Sequence, residues 1–284
     1  MKKIGIITDS SISFSEEDIA KFDVIVAPLM ITHNGKSYID GVDITNIELN
    51  DILRRNEKVT TSQPNLGTII ELIEAAKAEN YDHLYILSVG TSLSGAYGAF
   101  QHALNEVPMD NVTLVNTYSI AGPVQQMVRV IRHYNEHGKS IQEITDKVNE
   151  IVDHQVSYLY PENLKQVIQS GRVSKASATV ASLLRVNVLL CLKNKDDAIE
   201  KLAIARTNRK IFQAIVDDFI ANNVTTKTHD IYLLESEGKE RLLEFKDYLT
   251  DKMGEFKSHM INLPAAVATH GGLGCIAIQW CPKI

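Results

Sequence analysis

Apolar and polar positions along this chain follow two different rhythms. From the N-terminus, Ile4 to Ile7 predicts a short buried strand, and Ser15-Glu16-Glu17 marks the start of a helix. Val24 to Thr32 is a second extended run. The Asn34-Gly35 pair behind it is a hairpin signal, with Ser37 to Ile39 as the returning strand. Leu66 to Ala78 repeats at helical spacing, and Leu84 to Val89 is a mostly apolar strand interrupted by Ser88. Gly95 to Asn105 predicts a helix, Val112 to Val115 a strand and Val124 to Tyr134 another helix. Strand alternating with helix at this spacing predicts a parallel sheet with covering helices.

The second rhythm begins at Val156 to Leu159. Glu162 to Gln169 and Lys175 to Leu184 have helical spacing, and Asn187 to Leu192 and Ile199 to Ala205 are strand-like runs around Lys195-Asp196-Asp197, a predicted hairpin turn. Ile211 to Ile220, Ile231 to Leu234, Arg241 to Lys252, Phe256 to Ile261 and Cys275 to Trp280 then alternate helix and strand. The expected organisation is therefore an α/β domain with a parallel sheet over residues 1–155, then an α+β domain with a mixed sheet over residues 156–284. No Pro- or Gly-rich linker, internal repeat or low-complexity segment marks the boundary.

Composition narrows the function classes. The 284 residues are 44% hydrophobic and 23% charged, a globular profile. Lys and Arg number 29 against 35 Asp and Glu, giving a formal charge of −6 and no basic block. Nucleic acid is thereby excluded as the expected partner. The net charge opposes non-specific adhesion to anionic membranes, whereas a local basic patch still permits transient contact. The apolar run at the N-terminus ends at Thr8, too early for a signal peptide, and the run from Ala178 to Leu192 is broken by Ser182, Arg185 and Asn187. A cytoplasmic protein without a membrane span is expected. Cys191, Cys275 and Cys281 lack a C-x-x-C pair, so buried thiols are expected rather than disulfides or zinc.

In an open parallel sheet, ligands bind beyond the carboxyl ends of the strands. Four segments carry hydroxyls: Thr8-Asp9-Ser10-Ser11, Gly90-Thr91-Ser92-Leu93-Ser94-Gly95 and Asn116-Thr117-Tyr118-Ser119 after strands, and Thr60-Thr61-Ser62-Gln63-Pro64-Asn65 on the approach to the helix at Leu66. The step from Ser94 to Gly95 opens a helix, whose unpaired N–H groups and partial positive charge suit an anion. Ordinary helix capping is the competing explanation for any single hydroxyl. Near the C-terminus, His270 stands in Thr269-His270-Gly271-Gly272-Leu273-Gly274, where the glycines allow tight backbone approach. It is either a structural histidine or part of a site. Gly171-Arg172 reads either as a helix cap with a solvated charge or as an anion or partner contact. The common phosphate-loop, zinc-protease and dinucleotide motifs are absent. Gly90-Thr91-Ser92-Leu93-Ser94 resembles a nucleophile elbow with Ser94 in place of the last glycine, so a serine hydrolase using Ser92 or Ser94 with His270 stands as the alternative.

Taken together, these motifs resemble the DegV family over essentially the whole chain. The matching segments are Thr8-Asp9-Ser10, Pro28-Leu29 with Tyr38-Ile39-Asp40-Gly41, Thr61-Ser62-Gln63-Pro64, Leu93-Ser94-Gly95 with Tyr97, Gly171-Arg172-Val173-Ser174, and His270 in its Gly-rich setting. The chain departs from the common family pattern at Ser170, Val188, Ala268, Gly271 and Leu273. The resemblance implies two domains with a long-chain fatty acid between them and no catalytic turnover, in a bacterial protein. By the same resemblance, Thr61 and Ser94 hydrogen-bond the carboxylate, Gly95 offers its backbone N–H, His270 assists from the second domain and Ser62 is a neighbour. Arg172 and Arg206 would face a separate ATP-dependent fatty acid kinase, for which the protein would act as lipid carrier. No cofactor or metal is implied beyond the bound fatty acid.

Overall fold

The structure is a computed structural model that describes residues 1–173, 186–193 and 198–284. The chain divides into two compact units, one formed by Met1–Asp153 with Pro264–Ala266 and Ile284, the other by His154–Leu263 and Val267–Lys283.

The first unit runs β1 (Ile4–Asp9), α1 (Glu16–Phe22), β2 (Ile25–Ala27), β3 (Met30–His33), β4 (Lys36–Ile39), α2 (Asn46–Arg54), β5 (Val59–Ser62), α3 (Leu66–Ala78), β6 (His83–Ser88), α4 (Ala96–Glu106), β7 (Val112–Asn116), α5 (Gly122–Glu136) and α6 (Ile141–Asp153). Its main sheet is wholly parallel in the order β2-β1-β6-β7. All six residues of β1 are buried, which is why that strand reads as a continuous apolar run rather than an alternating one. Ile7 and Ile86 pack with Ile69 and Ile73 of α3 and Phe100 of α4.

The extended run predicted over Val24 to Thr32 is two strands in two sheets. Pro28 lies between them, with no N–H to give a ladder and a fixed φ. β2 completes the parallel sheet, while β3 is the centre of an antiparallel three-stranded sheet in the order β4-β3-β5. The predicted hairpin turn is present, with Asn34 at φ 49° and Gly35 at φ 76°. The Thr60-Thr61-Ser62 segment, read above as the approach to a helix, belongs to edge strand β5. Helices α2 and α6 lie outside the periodic segments read from the sequence.

The second unit runs β8 (Val156–Tyr160), α7 (Leu164–Gln169), β9 (Asn187–Lys193), β10 (Glu200–Ala205), α8 (Asn208–Ala221), β11 (His229–Ser236), α9 (Lys239–Met253), β12 (Ser258–Asn262), α10 (Ala265–Gly271, whose first two residues belong to the first unit) and β13 (Cys275–Pro282). Its six-stranded sheet has the order β10-β9-β8-β13-β11-β12, antiparallel throughout except for the parallel pair β11–β12. One face packs Tyr158, Ile278 and Trp280 against Phe212, Phe219 and Phe245 from α8 and α9. The helix predicted over residues 175–184, Ser174 and the turn at 195–197 lie outside the described residues. The glycine-rich closing segment is a loop only from Gly272 onwards, because α10 carries Thr269 and His270 as helical residues. Among the described residues no helix is long and apolar enough to cross a membrane.

Candidate ligand-binding site

The carboxyl ends of the parallel strands form one edge, with Asp9 opposite Ala27, Thr8 opposite Leu87 and Ser88 opposite Asn116. In this strand order the chain leaves β1 and β6 in opposite directions, so the topological switch point falls between them. Asp9 sits there, fully buried. Its Oδ1 accepts the Ser11 N–H at 3.0 Å and its Oδ2 accepts the Val89 N–H at 2.7 Å. Burial pushes the Asp9 carboxyl above the usual carboxylate range, and those hydrogen bonds oppose the shift. Next to it, Ser10 Oγ accepts the Leu29 N–H at 3.1 Å and donates to Asp40 Oδ2 at 2.7 Å. Asp40 is also raised, first by burial and further by the Asp9 charge, against hydrogen bonds from Ser10 and the Ala266 backbone.

The hydroxyls at this edge divide into two groups. Thr8 Oγ1 donates to the Leu87 carbonyl at 2.9 Å and Thr117 Oγ1 to the Ser88 carbonyl at 2.8 Å, so both tie neighbouring strand ends together. Asn116 braces the next loop: its Oδ1 accepts the Thr91 N–H at 3.2 Å and its Nδ2 donates to Thr91 Oγ1 at 2.9 Å. Ser94 belongs to the second group. Its Oγ accepts the Ala96 N–H at 3.3 Å, which leaves the hydroxyl proton to be donated elsewhere. Gly95 is the N-cap of α4, is exposed, and its N–H has no hydrogen-bond partner among the described residues.

The loop that carries these groups is tightly held. Gly90 accepts the N–H groups of Leu93 and Ser94 at 2.9 and 3.2 Å and donates to Ser119 O at 3.1 Å. A Cβ at position 90 would come within 2.9 Å of the Tyr118 backbone, so only glycine fits. The facing connection carries Tyr118 and Ala121 at φ 50° and 47°, a strained conformation for side-chain-bearing residues. The Thr61 segment reaches the same loop through Gln63, whose Oε1 lies where a Cβ on Gly95 would come within 2.3 Å of it. Thr61 is half-buried opposite Ile31, and Ser62, one residue on, is exposed opposite Met30. Strand alternation thus puts Thr61 and Ser62 on opposite faces of β5.

In the second unit, His270 lies in the last turn of α10 and is half-buried. Its pKa is pushed down to about 4, by burial first and then by the Arg172 charge, so it is neutral at pH 7. Arg172 follows α7 and Gly171, which adopts φ 75°; its Nη1 donates to the Ser170 carbonyl at 2.6 Å. Ser170, a departure from the family pattern, closes that turn by donating to Val167 O at 2.6 Å. Arg206 is exposed, just before the Thr207 cap of α8.

The structure brings the segments of Ser94, Gly95 and Gln63 together. Gln63, Asp9 and Asp40 were not among the site residues expected from the sequence. The signal for the two aspartates was their position in matching motifs, and their burial is a tertiary property. Ser92 Oγ is buried and without a hydrogen-bond partner among the described residues. All three cysteines are buried thiols outside any disulfide, and among the described residues no group of His, Cys, Asp or Glu could hold a metal ion.

The family model described as "uncharacterised protein, DegV family" matches residues 3–283. This chain belongs to the DegV family. A DegV domain-containing protein of Clostridium acetobutylicum is 29% identical over 284 residues, the whole of both chains. Two solved DegV structures share the fold with a TM-score of 0.89 each. One is a DegV family protein from Thermus thermophilus described for its fatty acid binding, 25% identical and covering 99% of this chain and 100% of its own. The other, a fatty acid binding DegV family protein from Streptococcus agalactiae, is 25% identical and matches over 100% of both chains. The parallel sheet of the first unit and the mixed sheet of the second are thus the DegV architecture.

Proposed function

We propose that this DegV protein is a carrier that binds one long-chain fatty acid and presents its carboxylate to a separate ATP-dependent kinase. The observation that carries the reading is the pairing of the Ser94 hydroxyl with the unpartnered Gly95 N–H at the start of α4. Both donors stand at the carboxyl edge of the sheet in a chain whose full-length relatives include fatty-acid-binding proteins. A helix N-terminus and neutral hydroxyls hold an anion without a cation.

Thr61 is assigned to the same carboxylate by its motif, with Ser62 as its neighbour on the opposite face of β5, and His270 by its own motif, as an uncharged hydrogen-bonding partner. Arg172 and Arg206 are assigned to the kinase. Burying an acyl chain of about 16 carbons is worth roughly 12 kcal/mol as an upper bound, at about 0.8 kcal/mol per methylene. Ordering the chain and desolvating its head group offset much of that. The tail therefore supplies affinity, and the polar cradle sets orientation. A carboxylate held by neutral donors stays nucleophilic. Its oxygen would attack the γ-phosphorus of ATP on the partner, with ADP as leaving group, to give an acyl phosphate.

The test is lipid mass spectrometry of the purified native protein beside a Ser94→Ala variant. Losing a hydrogen bond to a charged group costs about 1.5–3 kcal/mol, which is roughly 10- to 100-fold in affinity. One fatty acid per chain, depleted in the variant, supports the reading. A native protein with no lipid that also takes up no added fatty acid refutes it.

A further inference from the structure

Two motifs singled out in the sequence, Thr8-Asp9-Ser10 and Tyr38-Ile39-Asp40-Gly41, supply none of the groups assigned to the ligand. In the structure they meet. Asp9 accepts N–H groups with both of its oxygens, one from Ser11 in its own loop and one from Val89, the residue before the Gly90–Gly95 loop. Ser10 reaches the other way, to Leu29 N–H and Asp40 Oδ2, and the Asp40 N–H in turn donates to Leu29 O at 3.0 Å. Leu29 and Asp40 are the residues just outside the Met30–Ile39 pair that closes the base of the β3–β4 hairpin. On its other side Met30 pairs with Ser62, the neighbour of Thr61.

Two consecutive residues at the end of β1 therefore grip two separate bodies. One is the loop that carries Ser94 and Gly95. The other is the small sheet that carries Thr61. Among the described residues neither carboxylate has a cationic partner, so the charges are not retained for an ion pair. A neutral amide at position 9 could accept only one of the two N–H groups, since its other end is itself a donor.

We propose that Asp9, Ser10 and Asp40 are positioning residues that set the Ser94–Gly95 loop and the Thr61 strand in register, so that their donors converge on a carboxylate. The inference rests on the fatty acid reading above and adds to it how discrimination for the ionised head group is built. Each residue acts through others and none touches the ligand. The consequence is specific: breaking the clasp should cost head-group recognition and spare acyl-chain binding.

The experiment compares the dissociation constants of hexadecanoate and its methyl ester for the full-length protein and three variants. The wild type should prefer the acid by about tenfold or more, as expected when a charge-assisted hydrogen bond is at stake. Ser10→Ala should lower that preference to about threefold or less with the ester affinity unchanged. Ser10→Thr, which keeps the hydroxyl, should retain the wild-type preference. If Ser10→Ala fails to fold, Asp40→Ala breaks the same link from the hairpin side, together with the Ala266 contact, and should show the same loss. The inference is overturned if the variant lacking the link keeps the wild-type preference, or if acid and ester weaken in parallel. A wild type that binds both ligands equally, or neither, overturns the fatty acid reading and this inference with it.

Discussion

Replacing His270 by asparagine should flatten the dependence of stability on pH between about pH 7 and pH 5. His270 is neutral in the folded chain because burial, and then the Arg172 charge, push its pKa from the ordinary 6.5 down to about 4. The unfolded chain binds a proton at the ordinary value, so below it the unfolded state is favoured. Stability from the neutral form is fully present above the unfolded pKa and is lost as pH falls towards the folded one. Between about pH 7 and pH 5 the loss amounts to ~2 kcal/mol, from 1.36 kcal/mol for each tenfold change in proton activity between the unfolded value of 6.5 and pH 5. Urea denaturation at a series of pH values, read by circular dichroism, gives the curve for wild type and His270→Asn. The difference between the curves isolates this residue from His83 and His229, which burial also lowers. Arg172→Ala should raise the His270 pKa only part of the way, because burial is the larger cause. Parallel curves for wild type and His270→Asn, or an NMR titration placing His270 near 6.5, would refute the reasoning.

Three further outcomes follow from single contacts. Gly90→Ala drives a Cβ to 2.9 Å from the Tyr118 backbone, and should lower unfolding stability by about 1–3 kcal/mol in urea melts. Gly95→Ala instead meets the flexible end of Gln63 and keeps the backbone N–H, so the melting temperature should stay near wild type and fatty acid affinity, measured by calorimetry, should fall far less than in Ser94→Ala. The three cysteines should be silent to a thiol reagent in the native protein and react fully once it is unfolded, since all are buried and burial pushes Cys275 up to about 12.

Much of the fold is legible in the sequence where local pattern and tertiary role agree. The helix read over Leu66 to Ala78 has those bounds in the structure, and the strands of the parallel sheet appear as apolar runs because both faces are covered. Helices α2 and α6 were readable from a signal other than periodicity. Thr45 with Glu48, and Ser140 with Glu143, make reciprocal side-chain and backbone bonds at the helix starts, the T/S-x-x-E capping pattern. Strand β5 is harder, being four residues at a sheet edge, although Val59-Thr60-Thr61 is rich in β-branched side chains. Helix α10 is masked by the glycines at its end. In the candidate site, the hydroxyl motifs are visible as composition, but which hydroxyls are spent on neighbouring strands is not. Asp9 and Asp40 bond residues 80 and 30 positions away, a separation that no local window covers.

The split of the second extended run has a mechanical consequence. Only Pro28 and Leu29 separate the parallel sheet from the hairpin sheet, a span of about 7 Å when extended. Pro28 cannot rotate about φ, and the Leu29 N–H and carbonyl are both engaged. The joint is thus a stiff coupling with no slack. Length can be added at the Asn34-Gly35 tip, where it merely extends a turn, whereas even a residue inserted beside Leu29 shifts the whole hairpin sheet against the neighbouring one. An added residue should therefore be absorbed at the tip, whereas at the seam between the sheets it would break the Leu29 contacts to Ser10 and Asp40.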